Sequence, residues 1–547
     1  MQWQLQSPIV PNSISELTNI VLKNRGVTDE TLFFNPPHPA TFTPESVGFD
    51  PKQFELAVKR LKLARKKHEK VLLFGDYDAD GICATAVLWK TLHALDVEVV
   101  PFIPDRFEHG YGLSLAALES IFATRVPDLI VTVDNGIVAF PALEWLREQG
   151  ISVLVTDHHQ PEHNELGEAL FPPADAIVHT TKLCGTTVSW MLAHALAPAA
   201  TMQQLDLCAI ATIADMVPLT HENRSFAWHG IDQLRKTTNL GVRELLKALA
   251  IDPQTITTQT IGYTIGPHIN AMGRVAQGMD ALRLLCAAKP VTARKQAKLL
   301  QKTNVQRQDL TSDMFAEALL QAERMADQKI LVVASELFHE GVIGLVAGKL
   351  VERYHKPAIA ISYTELTAKA SARSVVGVNI VELIRSIRED LLELGGHPMA
   401  AGFSLAPDKI TVVIERLQIA AQSVVSDVHL DPSLAVDCEI PPSLIAKELF
   451  TALSRFEPIG RENEPAVFLL KACTVLSVGL IGKDKQHVKL IVQVGELSYT
   501  ALFWNGVSKG VAVSVSQVVD VVGRLELQTW NGRESIQIIV SDLKTHS

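Results

Sequence analysis

At 547 residues the chain is long enough for roughly three or four domains, and with 47% hydrophobic and 20% charged residues it has ample material for packed cores. That balance excludes wholesale disorder and a continuous coiled coil. A net charge of −10 excludes a protein that coats nucleic acid through a broad basic surface, so any polyanion must be held in a local groove.

No apolar run reaches the ~18–20 residues of a bilayer span, and the start MQWQLQSPIVPNS lacks a basic flank followed by an apolar block. The reading is a protein with no membrane association and no export signal. The six cysteines (Cys83, Cys184, Cys208, Cys286, Cys438 and Cys473) are far apart and form no CxxC pair, which argues against a disulfide framework or zinc finger and fits a reducing cytoplasm.

In chain order, the first 50 residues offer little beyond Arg25–Gly26 and an apolar helix-like stretch. The basic run from Lys59 to Lys70 reads as a solvated helix face. From about 51 to 200, strand-like runs at 71–75, 97–102, 128–133, 151–156 and 175–178 alternate with helix-like stretches such as Ile82–Leu95 and Phe140–Gln149. That alternation predicts a parallel sheet flanked by helices, an α/β fold. Residues 201–285 look mostly helical, and 290–327, with no Gly or Pro after Pro290, predicts a long connecting helix. A second mixed α/β unit begins near Lys329, where ILVVAS and PAIAIS read as strands. After about Pro441, short strand-like segments separated by turns predict a small β-barrel.

The chemistry concentrates where predicted strands end. LLFGDYDADG places Asp76, Asp78 and Asp80 just beyond an apolar strand. One Asp would cap the following helix, whereas three within five residues repel one another unless a cation neutralises them. DLIVTVDNG ends the next strand on Asp134, SVLVTDHHQP ends another on Asp157, His158 and His159, and Asp215 follows the apolar helix of LCAIATIADMVPL. Asp78, Asp80, Asp134 and Asp215 with His158 would bring about −4 of charge to two divalent ions, a balance that suits Mn2+ or Mg2+ better than zinc. Paired ions of that kind catalyse phosphoester hydrolysis.

GDYDADG, VDNG, TDHH and ATIADMVPL together resemble the successive motifs of the DHH phosphoesterases, named for the triplet seen here as Asp157–His158–His159. CGTTVSWMLAHAL, the arginine loop GPHINAMGR, HEGVIGLVAGKLVERYHKPAIA, SARSVVGVNIVELI, GGHPMAAGFSL and the C-terminal GRENEPAVF and GRLELQTWNGRESIQIIVSDL narrow the likeness to that family's single-stranded-DNA exonucleases. The resemblance implies a parallel-sheet DHH catalytic domain over 51–285 and a connecting helix over 286–328. A DHH-associated substrate-binding domain over 329–440 and an oligonucleotide-binding (OB) fold over 441–547 follow, after an N-terminal segment 1–50.

It further implies that Asp78, Asp80, Asp134, His158 and Asp215 hold the metals while Asp76, Asp157 and His159 complete the catalytic set. Arg274, Arg373 and His397 would contact phosphates, with Asn270, Ser371, Gly395 and Gly396 admitting the strand closely. The implied activity is 5′-to-3′ digestion of single-stranded DNA to mononucleotides in repair and recombination, with a helicase and a single-strand-binding protein as partners. Trp504 and Trp530 are either stacking platforms of the barrel or part of its packed core.

Four positions depart from the family pattern: Phe74 replaces a His, His268 replaces the Arg of GPR, Phe338 replaces a Trp, and AIVHTT replaces an Asn-Pro. The expected consequence is one protein ligand fewer at one metal and a weaker or pH-dependent phosphate contact. Two other readings stay open, a phosphoesterase for very short RNA, cyclic dinucleotides or pyrophosphate, and a non-catalytic single-strand-binding scaffold.

Overall fold

Val71–Phe74 is wholly apolar and buried along its length, as expected of a central strand in a sheet covered on both faces. In the computed structural model it pairs in parallel with Val99–Phe102 on one side and Leu129–Val133 on the other, and Ser152–Asp157 and Ala176–His179 extend the sheet in order. The strand order therefore reverses between Val71–Phe74 and Leu129–Val133, and open parallel sheets of this kind bind ligands at the carboxyl ends of the strands flanking such a reversal. The structure describes every residue except Met1, Tyr111, Ser508, Lys509, Val511, Asn531, Gly532 and Ser547, and all side chains but those of Thr529, Trp530 and Arg533 besides. No helix among the described residues is long and apolar enough to cross a membrane.

The chain divides into two compact units. The larger, His38–Val217 with Glu222–Asp431, contains the parallel sheet and a second sheet joined by the helix Pro290–Glu323. That 34-residue helix starts on a proline whose missing N–H costs nothing there, and it spans about 50 Å. The second sheet runs Glu393–His397, Ala400–Leu405, Ala368–Arg373, Ala358–Tyr363, Leu331–Ser335, with only the last pair parallel. Within the Pro51–Lys67 helix, Lys59, Lys62, Arg65, Lys66 and Lys67 are exposed, while Arg60 folds back onto Glu69 at 2.6 Å.

The smaller unit is Met1–Pro37, Pro218–His221 and Pro432–Ser547. Strands Phe468–Ile481, His487–Val494, Leu497–Phe503, Val518–Trp530 and Arg533–Thr545 form a barrel, closed by pairing of the first with the fourth. The N-terminal segment shares its core: Leu17, Ile20 and Val21 of the helix Ile14–Asn24 pack in one cluster with Leu470, Leu490 and Phe503. Arg25 grips Asp437 through Nη1 and Nη2 of its guanidinium, at 2.6 and 3.1 Å. The apolar helix-like stretch and Arg25, the few features this segment offered in the sequence, are what tie it into this unit. All six cysteines are free thiols.

Candidate metal centre

Asp76 follows the strand Val71–Phe74, Asp134 follows its neighbour Leu129–Val133, and Asp157 ends the next, so the acids gather at the strand-order reversal. Asp76, Asp78 and Asp134 can place ligand oxygens within 4.8 Å of one another, as can Asp134, His158 and His159, and also Asp80, His158 and Asp215. His158 is the hub: its Nε2 lies 3.1 Å from Asp134 Oδ1, 3.7 Å from Asp80 Oδ2 and 3.8 Å from Asp215 Oδ2.

Two buried carboxylate oxygens, Asp76 Oδ1 and Asp134 Oδ1, have no hydrogen-bond partner among the described residues, since the His158 approach to Asp134 lacks hydrogen-bond geometry. Leaving such oxygens unsatisfied is costly, and a cation relieves both. Burial, and then the charge of Asp78, pushes the Asp76 pKa up to about 8. Burial and the charges of Asp80, Asp78 and Asp76 push Asp134 well up, and burial with Asp80 raises Asp78. Burial holds the His158 imidazole below its ordinary range, in the neutral form that ligates metals. Asp134 also adopts a left-handed backbone with φ of 65°, a local strain of the sort found at functional sites. Carboxylates and one imidazole, with no thiolate, suit Mn2+ or Mg2+.

The other acids are more fully engaged. Asp80 accepts from the backbone N–H of Gly185 at 2.7 Å and of Thr186 at 2.8 Å, anchoring the start of the helix Gly185–Leu196. Only glycine fits at 185, because a Cβ there would lie 2.2 Å from Asp134 Oδ1. Asp157 accepts from the N–H groups of Ile137, His158 and His159 and faces His159 Nδ1 at 2.7 Å. Burial alone would raise Asp157, but the bond and charge of His159 outweigh it and hold the carboxyl low. The same pairing overcomes burial at His159 and lifts its imidazole to about 9. Phe74 is fully buried against Phe102 and offers no ligand.

A cationic cluster belongs to the same unit. Arg274, at the end of the helix Gly266–Val275, points an Nη1 at the Gly341 carbonyl, 3.4 Å away, and a Cβ at 341 would collide with the Arg274 carbonyl oxygen. Burial, then the charges of Arg106 and Arg373, lowers Arg274 to about 10, and burial and Arg106 lower Arg373. Arg106 was not foreseen in the sequence. It lies four residues past the strand Val99–Phe102, in no motif, and its guanidinium stacks 4.9 Å over the Tyr77 ring, within the acidic loop itself.

Asn270 is half-buried, and its Oδ1 accepts from Ala79 N–H at 2.7 Å and so pins the acidic loop. In the second sheet, Arg373, Ala400 and His397 form one cross-strand row, and Ser371, Gly402 and Gly395 another on the same face. His397, Gly395 and Gly396 are exposed, and Gly396 has φ of 141°, open to glycine alone. In the smaller unit Trp504 is 47% exposed and meets His487 edge-on at 4.7 Å. The side chain of Trp530 lies outside the described residues.

Residues 70–214 match the DHH family, N-terminal domain; residues 327–423 match the DHHA1 domain; and residues 436–542 match the RecJ OB domain. The chain is 34% identical to the single-stranded-DNA-specific exonuclease RecJ of Bacillus subtilis, over 99% of this chain and 70% of that protein. It is 30% identical to the protein of the same name from Haemophilus influenzae, over 89% of each. The crystal structure of RecJ in complex with Mn2+ from Thermus thermophilus superposes with a TM-score of 0.84 at 27% identity, over 100% of this chain and 80% of that one, and the Mg2+ complex gives 0.78 at 26%. Motif order, fold and full-length similarity agree, and the chain belongs to the RecJ family of DHH proteins.

Proposed function

We propose that this protein is a metal-dependent exonuclease that digests single-stranded DNA from the 5′ end to mononucleotides, in DNA repair and recombination. The observation that carries the reading is the juxtaposition, in one unit, of buried acids with orphaned oxygens and a trio of guanidiniums: one cluster suits divalent cations, the other phosphate. The relatives named above carry the substrate class in their names.

Asp78, Asp80, Asp134, His158 and Asp215 would hold two Mn2+ or Mg2+ ions. Asp80 also accepts from two backbone N–H groups, which leaves a lone pair on each of its oxygens for a cation it would share with His158 and Asp215, and Asp76, with its unpartnered oxygen, joins the set beside Asp78 and Asp134. The bound ions would supply the Lewis acidity that phosphodiester hydrolysis requires. Asp157 fixes the ring of His159, and the protonated imidazole adds a positive charge beside the acids for a phosphate oxygen to meet. Arg106, Arg274 and Arg373 orient the phosphate through planar, permanently charged forks, and Asn270 keeps the acidic loop in register with the arginine helix.

Residues 51–285 are read as catalytic, 329–440 as substrate-binding and 441–547 as the OB element with Trp504 as a stacking platform. A helicase and a single-strand-binding protein would deliver the strand, in the cytoplasm, where six free thiols are stable. A 5′-labelled single strand and its duplex, each with and without Mn2+, test the reading. Release of labelled mononucleotide only from the single strand and only with metal is expected. Cutting of duplex at an equal rate, or full activity in chelator, overturns it.

A further inference from the structure

His268, the departure within the arginine loop, is buried, and its Nδ1 lies 2.6 Å from the carbonyl oxygen of Thr264. A carbonyl can only accept, so Nδ1 carries the proton. Burial, with the charge of Arg307 adding to it, holds the imidazole below its ordinary pKa and hence neutral, which makes Nε2 an acceptor. The amide nitrogen of Asn304 lies 3.2 Å from Nε2 and 3.4 Å from Nδ1, and since Nδ1 already donates to Thr264, Nε2 is the atom that accepts from it. That choice fixes the Asn304 side chain with Oδ1 turned to Arg307, whose Nη2 donates to it at 2.6 Å. Three bonds of determined direction thus run from the arginine loop to one guanidinium on the long helix Pro290–Glu323.

Arg307 is half-buried, burial lowers its pKa, and no acid among the described residues offsets that cost. Its charge reaches Arg274 and depresses it further. A guanidinium near enough to Arg274 to act on it, desolvated and bonded by its side chain, among the described residues, only to a neutral amide, is stabilised by an anion. We propose that Arg307 is a further phosphate contact for the bound strand, held in place by the His268–Asn304 relay, so that the long helix forms part of the binding track as well as joining the two sheets. This rests on the nucleic-acid reading of the site; it assigns a residue that neither the motifs nor the family likeness named.

The test is binding of a fluorescent oligothymidylate by the full chain in chelator, so that no strand is cut, across a series of salt concentrations. Arg307→Ala should weaken binding about tenfold and make the slope of log K against log salt shallower by about 0.7, the value for one phosphate contact on a single strand. Arg307→Gln removes the charge yet can still donate to Asn304, and must give the same change in slope if the alanine variant fails to fold. Asn304→Ala keeps every cation, so it should weaken binding roughly threefold with the slope unchanged. A wild-type slope in Arg307→Gln overturns the inference. If the unaltered protein binds steeply with salt while that variant matches it, only this assignment falls; if the unaltered protein binds no strand, the nuclease reading falls with it.

Discussion

The larger unit gathers two clusters of like charge, and they bear their repulsion differently. The acids at the sheet are buried and shed charge by keeping protons: Asp76 rises to about 8 and Asp134 well above its ordinary value. The guanidiniums have no such outlet, because Arg274, pushed down to about 10, is still protonated at neutral pH. The arginines accordingly stay partly exposed while Asp76 and Asp134 are buried. A proton can be displaced by a metal ion, whereas a permanent cation can be relieved only by an anion arriving from outside. The contrast teaches which half of the site is loaded by metal and which by substrate.

The strongest way to break that contrast is Asp134→Asn. Hydrolysis of single strands in Mn2+ should fall by at least about a thousandfold. In chelator the same variant should melt at a higher temperature than the parent, since it removes a buried, repelled carboxylate. Activity within tenfold of the parent would remove the acids from the chemistry. Next in size is the pair Asp76→Asn and Asp80→Asn. The first should weaken Mn2+ binding by calorimetry about 10–100-fold with little change in metal-free melting. The second should weaken Mn2+ binding as well and in addition cost about 1–3 kcal/mol of metal-free stability, because its amide nitrogen cannot accept from one of the N–H groups of Gly185 and Thr186. Unchanged Mn2+ binding in either variant would remove that residue from the metal site.

On the cationic side, Arg106→Ala should weaken strand binding roughly tenfold or more, measured by anisotropy in chelator, and Arg373→Ala by a similar amount. Equal binding in both would leave the arginines as structural charges. The effect of pH is smaller and has a defined sign. Asp76 has a folded pKa of about 8 against an ordinary 3.8, so its contribution to stability is lost as pH rises between them. His159, lifted to about 9 from 6.5, stabilises fully below 6.5 and loses that contribution as pH rises through 9. Metal-free protein should therefore lose a few degrees of Tm between pH 6 and 8, and Mn2+ should raise Tm more at pH 8, where fewer protons need displacing. A flat profile would mean that the acids are not held protonated.

The sequence disclosed the acidic half well and the cationic half poorly, for physical reasons. A parallel strand buried on both faces must be apolar throughout, so an Asp at its exit stands out, and Asp76, Asp134 and Asp157 all occupy such exits. Arg106 has no such frame: it follows a half-buried strand within a turn, and only the folded chain brings it over Tyr77. The second task of Asp80, anchoring a helix start, was hidden because its partners, Gly185 and Thr186, are more than a hundred residues away. The N-terminal helix was opaque because an amphipathic stripe states that it packs, not on what, and Leu17 and Val21 pack beside barrel strands from the far end of the chain.

The smallest effect is expected in the other unit, where Trp504 stands 47% exposed with His487 edge-on against it. One stacked base is worth about 1–3 kcal/mol, and a half-exposed ring belongs at the lower end, so Trp504→Ala should weaken binding of long strands about fivefold. Trp504→Phe should recover most of that loss, because stacking needs a flat face and not the indole nitrogen. Binding of strands too short to reach beyond the larger unit should not change in either variant. If short and long strands weaken alike, Trp504 acts through folding of the barrel, and strand recognition rests on the guanidiniums alone.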